Sequence, residues 1–284
     1  MNLSVIIPCF NAEKTLAVQL EALANQEWSE PWEVIISDNG STDESVKSAQ
    51  QYKERLPNLH IVDSSDGRGG AHARNVGVLN ATAEAVAFCD ADDEVAPGWV
   101  AAMGKALSEY DFVTGRVELQ KLNRPEVLDP TWVQLEGIGM TFPPYLPFAL
   151  SCNVGIKRSL HQAVGGFDET FPVAEDVDYS WKVQLAGAEL HYVPDALVHY
   201  RLRDTLWGLF CRACDYGEDD VLLYKRYLPL GMPKHKWTTT VRDGWRLLKR
   251  LPQVSSVKTR AMWVGHFGRF VGQWRGSIKH RLLY

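Results

Sequence analysis

The chain has 284 residues, of which 45% are hydrophobic and 23% are charged, which is the composition of a soluble globular protein with a sizeable core. Its formal net charge of -5 combines an acidic part, residues 1–204, with a basic part, residues 205–284, in which 15 Lys and Arg face 5 Asp and Glu. The chain is therefore not uniformly acidic or uniformly basic. We expect its two parts to have different partners.

The sequence predicts neither a targeting segment nor a membrane span. It begins with the strand-like run LSVIIP and no basic region, so we expect no signal peptide. Residues 137–156 are uncharged, but three prolines interrupt them, so we expect a hydrophobic loop over residues 138–150. The five cysteines predict reduced thiols, and the lone pair Cys211 and Cys214 predicts one face of a helix rather than a zinc site.

Short apolar runs alternate with amphipathic stretches in the first part of the chain. We expect strands at residues 3–8, 32–38, 58–64 and 83–90, with helices at residues 12–26, 41–56 and 69–81 between them. Ser41 or Thr42 is expected to cap the second helix. Later, a helix is expected from about Glu175 to Ala186, followed by a final strand. This order predicts an α/β fold with a mostly parallel sheet flanked by helices.

Acidic residues follow three of these strands. Asp38 follows the second strand, Asp63 and Asp66 follow the third, and Asp90 follows the fourth. One aspartate at a strand end is usual for a turn, but ligands bind at the carboxyl ends of strands in such sheets. Three strands that deliver acids to one edge therefore predict a site at that edge.

The densest acidic cluster, Asp90 to Glu94, has three interpretations. A calcium loop of the helix-loop-helix kind fails, because a strand precedes the cluster and Val95 stands where that loop needs glycine. Acidic capping of the following helix suits Asp93 and Glu94. A hard divalent cation, Mn²⁺ or Mg²⁺, held by Asp90 and Asp92 would relieve the repulsion between their carboxylates.

Six motifs in order carry a resemblance to a known family: SVIIPCFNAEKTL, VIISDNGSTDES, GRGGAHARNVG, FCDADD, GGFDETF and AEDVDYSWKVQLAG. They closely resemble glycosyltransferase family 2, inverting enzymes of the GT-A fold, over residues 2–203. The resemblance implies a GT-A domain at residues 1–204 and leaves residues 205–284 as a basic, Trp-rich helical extension. It also implies metal-dependent transfer of a sugar from a nucleotide-sugar donor to a hydroxyl acceptor.

The resemblance implies a donor site at the ends of the first strands. Asp38 would accept a hydrogen bond from the nucleotide base. The loop that contains Pro8, Phe10 and Asn11 would flank that base. Arg68, in the glycine-rich loop before the third helix, would also face the donor, although an arginine in such a loop is equally compatible with a purely surface position.

The resemblance also implies a metal site beside the diphosphate. Asp90, Ala91 and Asp92 would form its D-x-D motif, with Asp92 as the direct metal ligand and Asp90 nearer the ribose. Arg74 would lie near the diphosphate, where a guanidinium and a metal stabilise the charge of the leaving group. His199 would complete the metal shell. The alternatives are a surface ion pair for Arg74 and a structural role for His199.

A second acidic pair, Glu175 and Asp176, stands at the start of an expected helix. Inverting transfer needs a base that takes the proton of the acceptor hydroxyl. The resemblance implies that Asp176 is this base and that Glu175 orients the acceptor. The alternative is that both acids only favour the first helical turn. The candidates on the acceptor side are Asn153, Gly165, Gly166 and Trp181.

The basic extension contains five of the ten tryptophans: Trp207, Trp237, Trp245, Trp263 and Trp274. Tryptophan combined with Lys and Arg is typical of helices in an anionic membrane interface, so a membrane surface is an expected partner. A homodimer contact or a lid over the acceptor cleft is an alternative. Nucleic acid is not expected, because no base-reading motif is present. We expect the protein in the cytoplasm, free or on the inner face of the cell membrane.

These observations favour an inverting glycosyltransferase that acts on a lipid-linked or cell-envelope glycan. A sugar-nucleotide nucleotidyltransferase would share the fold and the metal, but it needs a glycine-rich loop after the first strand, and IIPCFNAEKTL has no glycine. A non-catalytic sugar-binding or scaffold protein of the same fold would have lost the acids that are present here.

Overall fold

The computed structural model describes residues 2–124, 145–202, 205–251 and 254–284. Its strands are β1 (Leu3–Cys9), β2 (Trp32–Asp38), β3 (Leu59–Asp63), β4 (Ala85–Phe88), β5 (Glu94–Val95), β6 (Phe112–Glu118), β7 (Val154–Lys157) and β8 (Leu190–His199). Its helices are α1 (Leu16–Ala24), α2 (Ser45–Gln51), α3 (Gly70–Leu79), α4 (Trp99–Glu109), α5 (Arg158–Ala163), α6 (Glu175–Leu185), α7 (Leu206–Tyr227), α8 (Trp237–Arg250) and α9 (Val257–His280). Residues 138–144 of the predicted hydrophobic loop lie outside the described residues.

The strands form one mixed sheet in the order β3, β2, β1, β4, β7, β6, β8, β5. The first four are parallel neighbours, β6 and β8 are parallel to each other, and β7 and β5 run antiparallel to their neighbours. The prediction of an α/β fold with a mostly parallel sheet is confirmed. Cys9, Asp38 and Asp63 are in register, so the carboxyl ends of β1, β2 and β3 meet at one edge.

Helices cover both faces of the sheet because side chains alternate along each strand. On one face, Val5 and Ile7 of β1 pack in a cluster with side chains of α1 and α4. On the other face, Ile6 packs in a cluster with side chains of α3 and α6. The apolar spacing that predicted α1 is confirmed, since its buried apolar residues are Leu16, Leu20 and Leu23.

The start of α2 differs from the prediction. The helix begins at Ser45, so neither Ser41 nor Thr42 caps it. Both residues instead contact Asn11 in the loop after β1: the Ser41 hydroxyl accepts from the Asn11 backbone N–H, and the Thr42 backbone N–H donates to the Asn11 side-chain oxygen. Hydrogen bonds between two loops cannot be recognised from a local capping pattern.

Within its described residues, the basic extension folds as three α-helices. α7 and α9 pack so closely that the glycines Gly217, Gly268, Gly272 and Gly276 stand against backbone atoms of the facing helix. α7 also packs on α6, where Trp181 shares a buried cluster with Val221, Tyr224 and Tyr227. Cys211 and Cys214 lie on α7, as predicted. Among the helices of the described ranges, none has the length and apolar character that a membrane crossing requires.

Replacing Gly272 by Ala is expected to destabilise this helix pair. A Cβ atom at this position would clash with the backbone carbonyl oxygen of Cys214, which cannot move without displacing α7. We expect the free energy of unfolding to fall by about 1–3 kcal/mol, as for other overpacked positions. Gly265→Ala is the matched control, because the nearest atoms to its Cβ lie 3.9 Å away on Leu209. Equal melting temperatures for the two variants would contradict close packing of α7 on α9.

Candidate active site

The end of β2 lies beside the loop that follows β1. The backbone N–H of Ser41 donates to both carboxylate oxygens of Asp38, at 3.3 and 3.2 Å. Pro8 pairs with Ser37 in the sheet, and the next turn exposes 61% of Phe10. Asn11 adopts a left-handed backbone conformation with φ of 49°. The carboxylate of Asp38 and the exposed ring of Phe10 therefore lie at the same edge of the sheet.

A cluster of three carboxylates follows β4. Ligand oxygens of Asp90, Asp92 and Asp93 all lie within 4.8 Å of one another. Ala91, between the first two, is buried in the core on the α1 and α4 side of the sheet. Asp93 is fully buried, and its Oδ1 accepts from the backbone N–H of Arg201 at 2.8 Å. Burial, reinforced by Asp90 and Asp92, raises the pKa of Asp93 well above its ordinary value.

The prediction that Asp93 and Glu94 cap the following helix is wrong. Asp93 does lie in the turn after β4, but its side chain belongs to the carboxylate cluster. Glu94 was assigned to the same turn and helix, but it begins β5 and pairs with His199 of β8, while α4 starts only at Trp99. A strand of two residues is too short to give a period, so sequence spacing could not reveal it.

The cluster fits a hard divalent cation. Carboxylate oxygens are the ligands that Mg²⁺ and Mn²⁺ prefer. Asp93 Oδ2 is buried, and no hydrogen-bond partner for it appears within the described residues. Three carboxylates this close together would repel one another without a cation. Asp90, Asp92 and Asp93 are therefore the residues that could hold the metal.

His199 does not belong to this group of three. Its Nδ1 lies 2.7 Å from Glu118 Oε2, an arrangement that orients the imidazole. A carboxylate on one ring nitrogen is typical of histidines whose other nitrogen binds a metal, but it also occurs in purely structural pairs. The role of His199 as a metal ligand remains a prediction.

Arg74 of α3 joins the carboxylate cluster to the second acidic pair. Its Nη2 donates to Asp90 Oδ1 at 2.6 Å, and its Nη1 donates to Glu175 Oε1 at 3.0 Å. The side chain is almost fully buried, and its guanidinium lies over the ring of Phe167. Burial opposes the charge of Arg74, but Asp90 and Glu175 more than compensate, so its pKa lies above its ordinary value. One guanidinium therefore connects residues that are 85 positions apart in the sequence.

Asp176 lies in the first turn of α6, as predicted. Its Oδ1 accepts from the backbone N–H of Val177 at 2.8 Å, and its Oδ2 accepts from that of Ser151 at 3.4 Å. Burial and the neighbouring Glu175 raise the pKa of Asp176 to about 7. A carboxylate with this pKa can take up and release a proton near neutral pH, which a base requires.

The extension helix α7 holds the start of α6. Asp219 Oδ2 accepts from the backbone N–H groups of Val173 and Ala174, at 3.1 and 3.0 Å, just before Glu175. Burial raises the pKa of Asp219 to about 7. Sequence reasoning missed this residue, although the acids at 218–220 stand out in a segment that is otherwise basic.

A second contact fixes the same helix. Arg226 and Tyr227 of α7 donate to Asp178 Oδ1, at 2.7 and 2.8 Å. Asp178 is fully buried. Its side chain therefore joins α6 to α7 and does not face a ligand.

Two predicted acceptor residues are structural. Trp181 is fully buried, and its indole Nε1 donates to the backbone oxygen of Leu146, so the ring is not presented to a sugar. Asn153 is also fully buried: its amide donates to the backbone oxygens of Arg116 and Ala196, and its oxygen accepts from Trp99 Nε1. Both predictions fail because the spacing of residues in the sequence does not show which part of the fold covers a given side chain.

The remaining predicted residues lie on loops. Gly165 and Gly166 have positive φ values of 78° and 67° in the turn after α5, and a Cβ on Gly166 would lie 2.6 Å from the Asn75 side-chain oxygen. Arg68 is exposed in the loop before α3. Whether these residues contact an acceptor or a donor remains a prediction.

A sequence model described as Glycosyl transferase family 2 matches residues 4–165, more than half of the chain. The uncharacterized glycosyltransferase YibD of Escherichia coli (strain K12) is 44% identical over 96 residues, which are 34% of this chain and 27% of that protein. The poly-beta-1,6-N-acetyl-D-glucosamine synthase of Staphylococcus epidermidis is 29% identical over 234 residues, 78% of this chain and 56% of that protein. The chain thus spans 27% to 56% of the length of these curated relatives.

Solved structures show the same fold. The mannosyltransferase PcManGT from Pyrobaculum calidifontis, in complex with GDP-Man and Mn²⁺, matches with a TM-score of 0.68 at 18% identity, over 96% of this chain and 86% of that chain. S. aureus TarS 1-349, in complex with UDP-GlcNAc, matches with a TM-score of 0.58 at 18% identity, over 100% of this chain and 93% of that chain. At this identity, the likeness establishes the shared architecture.

Proposed function

The chain belongs to glycosyl transferase family 2, and on this premise we propose that it transfers a sugar, with inversion, from a nucleotide-sugar donor to a hydroxyl acceptor. The observation that carries the proposal is the bridge made by Arg74 between Asp90 and Glu175. This bridge connects Asp90, a candidate metal ligand, to Glu175, the neighbour of the candidate base Asp176. One network of side chains therefore links the donor side of the proposed reaction to its acceptor side.

On the donor side, the base of the nucleotide would lie between Asp38 and the exposed ring of Phe10. Asp92, with Asp90 and Asp93, would hold the cation. When bound, Mn²⁺ or Mg²⁺ neutralises charge on the diphosphate leaving group. Arg74 would add a fixed positive charge near the diphosphate. Because its side chain is buried, little water screens this charge, so its attraction for the diphosphate is stronger.

On the acceptor side, Asp176 removes the proton of the attacking hydroxyl as the bond to the anomeric carbon forms. Ser151 and Val177 hold its carboxylate oxygens through backbone N–H groups. Glu175 is fixed by Arg74 and keeps the pKa of Asp176 high, because like charges disfavour ionisation. α7 fixes the helix that carries both acids.

The acceptor we propose is a lipid-linked or cell-envelope glycan, reached at the inner face of a membrane. One relative, whose alignment covers 78% of this chain, is named as the synthase of a polysaccharide, poly-beta-1,6-N-acetyl-D-glucosamine. A further relative, from Mycobacterium tuberculosis, is a pre-mycofactocin glycosyltransferase, 28% identical over 65% of this chain and 40% of that protein. A homodimer is the alternative partner for the basic extension.

A nucleotidyltransferase that makes nucleotide-sugars is disfavoured. The loop after β1, residues 10–15, has no glycine to bring several backbone N–H groups around a triphosphate. A non-catalytic protein is disfavoured too, because the acids that the transfer reaction needs, Asp38, Asp90, Asp92 and Asp176, are all present.

Nucleotide-sugar binding should be visible as a cation-dependent rise in melting temperature. We expect UDP-GlcNAc or GDP-Man to stabilise the protein in the presence of Mn²⁺ and to lose most of this effect with a chelator, because ligands of the native state stabilise it by mass action. Asp92→Asn should lose the cation-dependent part, whereas Asp195→Asn, a variant of an exposed residue on β8, should keep it. Equal shifts with and without the cation would contradict the metal role of the cluster.

A further inference from the structure

Helix α8 exposes an apolar strip along one side. Trp237, Val241, Trp245 and Leu248 are exposed by 52%, 37%, 63% and 57%. Their spacing of four, four and three residues places them on one face of a helix, because successive residues turn by about 100°. We name these four residues the α8 strip. Soluble proteins rarely expose two tryptophans and two aliphatic side chains side by side.

The edge of the helix that adjoins the α8 strip is packed against α9. Thr240 and Leu247 are buried, and the backbone oxygen of Leu247 accepts from Trp263 Nε1 of α9 at 3.0 Å. Gly244 stands against the ring of Phe270, to which an added Cβ would come within 2.9 Å. α9 therefore fixes the rotation of α8, and this rotation turns the α8 strip outward.

Positive charge borders the α8 strip. Arg242, Arg246 and Lys249 follow it around the helix, on the side away from α9. The segment 234–260 contains eight Lys and Arg and one acidic residue, Asp243. The surface thus combines an apolar strip with a cationic flank, which is the pattern of a helix that lies in the plane of an anionic bilayer.

We propose that the α8 strip docks the protein onto a bilayer that contains anionic lipid. Tryptophan is suited to the headgroup region because its ring is apolar and its N–H is polar. A second copy of the chain is a poorer occupant, because a twofold contact through this face would bring two cationic flanks together. Nucleic acid would leave the α8 strip exposed to water. The proposal names a membrane partner for the extension and needs no nucleotide-sugar to operate.

The test uses the full chain and sedimentation with vesicles, without donor or metal. We expect strong binding to vesicles of phosphatidylglycerol with phosphatidylcholine, at least tenfold weaker binding to pure phosphatidylcholine, and weakening at high salt because exposed charges are screened. Tryptophan fluorescence should shift to shorter wavelength on binding. Leu248→Glu should reduce binding to anionic vesicles at least tenfold.

Leu79→Glu is the matched control, since Leu79 is 75% exposed on α3 and the substitution adds the same charge. It should bind within twofold of the unaltered chain, and both variants should retain its melting temperature. The proposal is overturned if the unaltered chain does not bind, if it binds both vesicle types equally, or if Leu248→Glu dissociates a dimer in sedimentation velocity without changing vesicle binding. Donor binding measured on the same variants separates this result from the proposed transfer activity, which Leu248→Glu should leave intact.

Discussion

Replacing Asp176 by Asn should lower the rate of sugar transfer by about 10²- to 10⁴-fold, the usual contribution of a positioned general base. The amide keeps the shape of the side chain, and its single oxygen can still accept from the backbone N–H of Val177, although its NH2 group cannot accept from that of Ser151. It cannot take a proton from the acceptor. Donor binding, measured by thermal shift, should stay within a few-fold, because the metal cluster is unchanged. Asp195→Asn, at an exposed position of β8, is the control.

The Asp176→Asn variant should also lose the pH dependence of the transfer rate that we expect for the unaltered chain. Because the pKa of Asp176 is raised to about 7, the base is protonated below that pH, and the rate should fall as pH falls through 7. Above it, the carboxylate is ionised and the rate should level off. A rate for Asp176→Asn equal to that of the unaltered chain, or an acidic limb that survives the substitution, would show that Asp176 is not the base.

The second large effect is expected for stability, in Arg74→Met. Removing this guanidinium leaves the carboxylates of Asp90 and Glu175 without their partner in a mostly buried place. Breaking a buried ion pair from one side typically costs about 3–5 kcal/mol, because the remaining charge stays desolvated. We expect the free energy of unfolding to fall by about this amount in the absence of added cation, measured by urea denaturation.

Arg55→Met supplies the comparison. Arg55 pairs with Glu21, but both side chains are about half exposed, so water screens the pair and we expect its loss to change the free energy of unfolding far less than the loss of Arg74 does. If the free energy of unfolding falls equally in the two variants, the ion pairs of Arg74 do not stabilise the fold more than an exposed pair does. The bridge that supports the proposed function would then not be a stabilising buried network.

The first half of the fold could be predicted because each strand is a nearly continuous apolar run and each helix repeats at 3.6 residues. The strand-end acids Asp38 and Asp90 could be predicted for the same reason, since parallel strands end at one edge. β5 could not, because two residues carry no period. The residue pattern also predicted the start of α6, and the structure places Glu175 and Asp176 in its first turn.

Burial depends on what covers a residue, and this is where prediction from the sequence fails. Trp181 and Asn153 look like sugar-binding candidates as isolated side chains, but α7 covers the first and the sheet covers the second. The sequence favours a capping role for Asp93, but the segment after β8 brings the backbone N–H of Arg201 to its side chain. Asp219 lies 43 residues after Asp176, too far for any local pattern to connect them.

The most direct test is a product analysis after the protein is incubated with a bound nucleotide-sugar and Mn²⁺. Anion-exchange chromatography separates nucleoside diphosphate, nucleoside monophosphate and pyrophosphate. We predict release of nucleoside diphosphate with the sugar on a hydroxyl acceptor, or slowly on water, and loss of this release in Asp92→Asn and Asp176→Asn. Formation of a nucleoside triphosphate when pyrophosphate is added, or an intact donor that is bound but never consumed, would contradict the account.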